Sequence, residues 1–219
     1  MSHRKFANRY EIAAHLKITS GGSLSSLLED LKASGFIDKY TPLEVSSQSR
    51  MVRYCLRDNF LQFFFKFIQN KLLAIGRGDL NERPTQGLSN DVYLKWLGFA
   101  FERVCRDNHA TIAKRLGFSA VEYQVGAYFS RSLDEASPGF QIDLVFDRAD
   151  HVYTVCEIKY LQSKVPVRVI SEFEHKLLHL PHRDKYKIHK VLISTLGAVD
   201  SVIHRGYFDD ILVLEDLFS

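Results

Sequence analysis

The chain has 219 residues, 46% hydrophobic and 25% charged, a composition that excludes extended disorder and fibrous repeats and fits an ordinary globular protein. Twenty-nine basic residues against 26 acidic ones leave a formal charge of +3, which permits nucleic-acid binding and is too small to argue for it. Cys55, Cys105 and Cys156 are odd in number and none belongs to a Cys-x-x-Cys pair, so neither a disulfide framework nor a zinc knuckle is expected, and a reducing cytoplasm fits.

No N-terminal stretch combines a basic start, an apolar core and a small-residue cleavage site, so a signal peptide is not expected. The densest apolar run, Phe60 to Ile75, is too short to span a bilayer and is interrupted by Lys66, Asn70 and Lys71; it reads as a buried helix, and no membrane partner is expected.

In chain order, Asn8 to Ile18 has the composition of a short helix and Thr19 to Gly22 of a turn. In Ser23 to Ser34, Leu24, Leu27, Leu28 and Leu31 repeat at i, i+3, i+4 and i+7, which predicts a second helix ended by Gly35. The alternating segments Leu43 to Val45 and Met51 to Leu56, either side of a serine-rich stretch, predict a hairpin. Two or three short helices followed by such a wing make a winged helix-turn-helix over residues 1–57; the alternative is a helical hairpin with a disordered loop. Asp58-Asn59 caps a helix whose Phe60, Phe63, Phe64, Phe67 and Ile68 form an apolar stripe, more often core than a base-stacking platform. Gly76 to Gly87 has loop chemistry, so residues 58–88 read as a connecting helix and linker.

Residues 89–219 change pattern. A long helix from Ser89 to about Arg106 turns Tyr93, Trp96, Leu97, Ala100 and Val104 inward, and Asn108 to Leu116 continues it after a break. Val121 to Ser130, Phe140 to Asp147, His151 to Tyr160 and Lys187 to Thr195 read as strands, with an amphipathic helix at Val167 to Leu180 before the last. Helix, three-strand meander, helix and strand predict an α/β (α+β) domain with a mixed sheet.

The chemistry concentrates in Gln141-Ile142-Asp143-Leu144 and Cys156-Glu157-Ile158-Lys159. Strand alternation turns Glu157 and Lys159 to one face, and pairing through the turn at Arg148 to Asp150 brings Asp143 near Glu157. Charges inside such apolar runs are costly unless they are paired or hold a metal. Two carboxylates supply oxygen ligands for Mg²⁺ or Mn²⁺, with Lys159 stabilising charge at a reacting phosphate.

An aspartate ending one strand followed by Glu-x-Lys on the next resembles the PD-(D/E)XK nuclease superfamily, with its restriction-endonuclease-like fold. The resemblance implies metal binding by Asp143 and Glu157, a ligand from the Ile158 carbonyl, a catalytic Lys159, and a further glutamate on the preceding helix, for which Glu102 is the match. Over nearly the whole chain, Tyr54 to Phe60, Phe101-Glu102, Val125 to Phe129 and Cys156 to Tyr160 are similar to the C-terminal region of archaeal and bacterial AAA-type ATPases that end in a winged helix and a nuclease-like domain of unknown function. Tyr128-Phe129 stand where that family often has two tryptophans. No Gly-x-x-x-x-Gly-Lys-Ser/Thr loop occurs, so ATP is not expected as a ligand; the sequence reads as a fragment or a split gene product of such a protein, with a partner ATPase chain as the accompanying expectation.

Beside these stand plainer readings. Glu102, close to Arg103 and Arg106, also reads as a salt-bridged helix residue. His175, His179 and His182 have helical spacing, but Pro181 interrupts the run and a solvent-facing group is the simpler reading. The second N-terminal helix exposes Ser25, Ser26, Glu29, Asp30 and Lys32, a poor surface for phosphates. DNA backbone contact is instead expected from Arg4, Lys5 and Arg9 before this helix or from Lys39, Arg50 and Arg53 around the wing, with protein contact as an equal alternative. The expected activity is Mg²⁺-dependent cleavage of DNA; the rival is a non-catalytic DNA-binding or docking module.

Overall fold

A computed structural model describes residues 6–40, 52–129, 140–180 and 183–218. The chain divides into two compact units, Met1–Trp96 and Leu97–Ser219.

In the first unit, α1 (Arg9–Leu16) begins at Asn8, whose side chain accepts the Glu11 N–H while the Glu11 carboxylate accepts the Asn8 N–H. This reciprocal cap satisfies two of the donors that a helix start leaves open. Helix α2 (Gly22–Ala33) buries Leu24 and Leu28, leaves Leu31 half-buried against them and exposes Leu27, so the four-leucine stripe is narrower than its spacing predicts. Gly35, at φ +76°, ends the turn that follows in the left-handed region where a side chain is strained.

Strand β1 (Ile37–Tyr40) pairs antiparallel with β2 (Arg53–Leu56), Ile37 opposite Leu56. The expected partner strand Leu43 to Val45, like Arg4, Lys5 and Arg50, lies outside the described residues. Ala7, Ile12, Ala13, Leu24, Leu28, Ile37, Val52 and Tyr54 form the core of this part.

Asp58 caps α3 (Asn59–Phe63), accepting the Leu61 N–H at 2.7 Å. The helix then changes winding, through a π turn at Phe64–Ile68 and a 3₁₀ turn at Gln69–Lys71, before α4 (Leu72–Gly76). This breaks the single stripe expected from the phenylalanines: Phe67 is buried, whereas Phe60 is 70% exposed. Phe63 and Phe67 pack edge-on against Trp96, with ring centroids 5.6 and 6.0 Å away. That is core packing.

Helix α5 (Asn90–Asp107), within which the boundary between the units falls, is followed by α6 (His109–Arg115). The second unit is α+β, built on a five-stranded mixed sheet: β3 (Tyr123–Phe129), β4 (Gln141–Arg148), β5 (Val152–Lys159), β6 (Lys187–Ser194) and β7 (Asp210–Val213), adjacent in that order. The first three strands are an antiparallel meander; β5–β6 and β6–β7 are parallel. The parallel step crosses over through α7 (Arg168–Leu177), and α8 (Asp200–Ile203) precedes β7. Neither β7 nor α8 is foreseen from the sequence pattern.

On one face of the sheet, Leu144, Phe146, Cys156, Ile158, Val191 and Ile193 pack with Phe101, Cys105, Ile112 and Ala113. The fully inward positions of α5 here are Phe101 and Cys105, and the expected Val104 packs half-buried against the same core. Helix α7 buries Val169, Phe173 and Leu177 at i, i+4 and i+8.

Candidate functional site

The meander does not pair evenly to its ends. Between Gly126↔Val145 and Tyr128↔Ile142, β3 advances two residues while β4 advances three. The extra residue of β4 therefore falls at Asp143-Leu144, and a bulge of this kind re-aims side chains and recurs beside active sites. On its other side, the β4–β5 ladder stops at Leu144↔Cys156, one position before Asp143 would face Glu157. Strand β5 runs on against β6 as far as Lys159↔Ser194. Among the described residues, the β4-side edge of Glu157–Lys159 thus has no ladder partner.

Glu157 is 1% exposed, the one carboxylate among the buried side chains described. Its oxygens accept hydrogen bonds from Lys176 Nζ of α7 at 2.8 and 2.7 Å, and Lys159 Nζ lies 3.0 Å away. Lys159 also donates to Glu172 at 3.1 Å, and Arg168 comes within 3.7 Å of the same Glu172 carboxylate. Three cations and two carboxylates thus form one network. Burial lowers the pKa of Lys159, but the Glu157 and Glu172 charges and hydrogen bonds outweigh it and hold the ammonium above its ordinary value. It stays charged at neutral pH.

Asp143 sits at the bulge and accepts a 2.5 Å hydrogen bond from Gln141 Nε2. Glu102, on α5, lies 3.8 Å from Arg106, the salt-bridged environment weighed above. The Cys105 thiol is pushed up to about 12, chiefly by burial, with Arg106 opposing the rise and Glu102 and Asp143 adding to it. Glu102 and Asp143 are therefore both within electrostatic reach of one buried atom. Ile158 is buried, with its side chain in the core.

Lys176 and Glu172 were absent from the residues expected at the site. Their signal was present: they stand at i and i+4 beside the stripe Val169, Phe173, Leu177, and a glutamate inside an apolar strand needs a cation from whatever covers it.

No group of three His, Cys, Asp or Glu side chains able to hold a metal occurs among the described residues. The donor chemistry still fits Mg²⁺ or Mn²⁺, because such ions commonly take one or two carboxylates, retained waters and substrate phosphates. The Lys176 ammonium stands on both Glu157 oxygens, where such an ion would also bind.

Other chemistry-bearing groups are accounted for structurally. His189 Nε2 lies 2.8 Å from Asp210 and its Nδ1 3.2 Å from the Thr154 hydroxyl, but Thr154 is fully buried and no substrate reaches it. His179 Nδ1 bonds the His175 carbonyl at 2.8 Å; His182 lies outside the described residues. In the first unit, Lys39 is held by Glu29 at 2.9 Å, and Arg53 lies on β2.

No family model matches the chain. It is 30% identical over 170 residues to an uncharacterized protein of Methanocaldococcus jannaschii, MJECL04; the match covers 74% of this chain and 36% of the relative, so the chain spans about a third of that relative's length. A solved structure, the protein of unknown function AF1548, matches 50% of this chain and 56% of its own, with 11% identity and a TM-score of 0.35, too slight a likeness to bear on the fold. No helix among the described residues is long and apolar enough to cross a membrane.

Proposed function

We propose that Leu97–Ser219 is a PD-(D/E)XK-type, restriction-endonuclease-like module acting as a divalent-metal-dependent DNA phosphodiesterase, following a winged helix, in a protein allied to the AAA-type ATPases. The observation that carries the reading is the buried Glu157, held by ammonium groups on the unladdered edge of β5, one register step from an aspartate at a bulge. The order helix, antiparallel meander, crossover helix and parallel strand supports it. In this reading Asp143 and Glu157 would hold Mg²⁺ or Mn²⁺, with the Ile158 carbonyl as a further donor; the bound ion supplies an activated water and charge neutralisation at the phosphate. Lys159, kept protonated by Glu157 and Glu172, offers a fixed positive charge to a phosphate oxygen. Glu102 assists from α5. Arg53, Arg50 and Lys39 contact the DNA backbone, and the choice of DNA over RNA follows from the family likeness.

Cleavage of plasmid and linear duplex with Mg²⁺ or Mn²⁺, by wild type, Asp143→Asn and Lys159→Gln, tests the reading. Activity is expected in the wild type and lost in both variants; equal cleavage by all three would remove it. A second reading, a non-catalytic DNA-binding or docking module serving an ATPase on another chain, is favoured by Lys176 already neutralising Glu157. No metal-dependent cleavage by the wild type, together with retention of an ATPase in pull-downs, would favour it.

A further inference from the structure

A buried carboxylate in need of a divalent ion faces a difficulty when the ion is away: an uncompensated charge at 1% exposure is strongly destabilising. Here Lys176 meets that need. Its ammonium spans both Glu157 oxygens, at 2.8 and 2.7 Å, a geometry that saturates the side of the carboxylate it covers. Lys159, by contrast, divides itself between Glu157 and Glu172. Lys176 is on the last turn of α7, its side chain keeps 22% exposure, and its neighbours Phe173 and Leu177 anchor the helix without it. A lysine is a compact charge on a flexible four-carbon stem, so this ammonium has a route to solvent that requires no movement of the helix.

We propose that Lys176 is a tethered counter-ion at the metal site, occupying Glu157 while no ion is bound and displaced when one enters, so that it sets the threshold for metal loading. The inference rests on the reading of Glu157 as a metal ligand. A divalent ion replaces one positive charge by two on the same oxygens, and Lys159 remains on Glu157's own strand to interact with a phosphate. Loss of the ammonium competitor therefore strengthens metal binding even though it weakens the empty fold.

Two measurements on the full chain test this. In calorimetric Mn²⁺ titrations, Lys176→Met binds tighter than wild type by at least about tenfold, the scale of a close ion pair in a poorly solvated site, and adding Glu157→Gln abolishes the gain. In the wild type, acetylation of Lys176 by an N-hydroxysuccinimide ester, read by peptide mass spectrometry, rises as Mn²⁺ is added; this arm decides the matter if the variant does not fold. Lys176→Met binding no tighter than wild type, or Lys176 acetylation unchanged at the highest Mn²⁺ concentration, overturns the proposal. If wild type and Lys176→Met bind equally well through Glu157, the counter-ion role falls and the metal site stands. If neither binds Mn²⁺, with or without duplex DNA, both fall.

Discussion

Replacing Lys176 by Met and Glu157 by Gln, singly and together, measures how strongly α7 is tied to β5 through charge. Unit charges about 3 Å apart at an effective dielectric of about 20 attract by roughly 5 kcal/mol before desolvation is counted. Two features reduce that figure. Lys159 remains 3.0 Å from Glu157 when Lys176 is removed, and the Lys176 side chain keeps partial contact with water. Each single substitution is therefore expected to cost about 2 to 3 kcal/mol, below the ~3–5 kcal/mol of a buried pair left with no other partner. The double variant is expected to lose little more than either single one, because the second change removes a charge that the first had stranded; the coupling is about 2 kcal/mol. Urea unfolding of the full chain at neutral pH, followed by far-ultraviolet circular dichroism, gives the four stabilities. Additivity within about 0.5 kcal/mol would refute the reasoning and mean that the pair contributes nothing beyond its separate contacts.

Cys55, Cys105 and Cys156 are all buried, so a disulfide reagent at about pH 8 is expected to find no fast-reacting thiol until denaturant is added; rapid labelling of the native protein would contradict this. Cys105 sits at about 12 against an ordinary 9.0, so the unfolded chain loses that proton first and stability falls as pH rises from about 9 towards 12; urea midpoints across that range check the direction. Gly35→Ala, strained at φ +76° but meeting no atom within 4 Å, should cost about 1 to 2 kcal/mol by the same unfolding assay, and no loss would mean the turn relaxes. Phe173→Ala, which empties a fully buried position under α7, should cost about 3 to 5 kcal/mol. In duplex binding, Arg53→Ala is expected to weaken affinity and lower the salt slope by about 1. Lys39→Ala should matter less, since Glu29 already holds Lys39; the reverse order in a salt titration would count against it.

The strands were legible because short, nearly continuous apolar runs bounded by turn chemistry have few other ways to fold: β4, β5 and β6 lie within a residue or two of their expected ends. Strand β7 escaped because Asp210–Val213 is four residues long, too short for a pattern to show, and is defined by its partner β6. The phenylalanine helix misled for another reason. Helical spacing assumes constant winding, and the π turn at Phe64–Ile68 shifts which faces are inward, leaving Phe60 outside and Phe67 inside. Strand alternation alone turned Glu157 and Lys159 to one face, where the structure holds them 3.0 Å apart. Lys176 was readable only as a need: a glutamate inside an apolar strand calls for a cation, but which one supplies it, 19 positions away, depends on how a crossover helix lies on the sheet.

The early end of the β4–β5 ladder has a mechanical consequence. Asp143 belongs to a strand secured on its far side by β3, and Glu157 to one secured by β6. Among the described residues, no backbone hydrogen bond of the β4–β5 ladder beyond Cys156 sets the spacing between their two strands. A change in the gap between the two acids breaks no rung of the β4–β5 ladder. Such a seam is compliant where a continuous ladder is stiff, so the distance between the ends of these two strands can adjust without re-registering either of them.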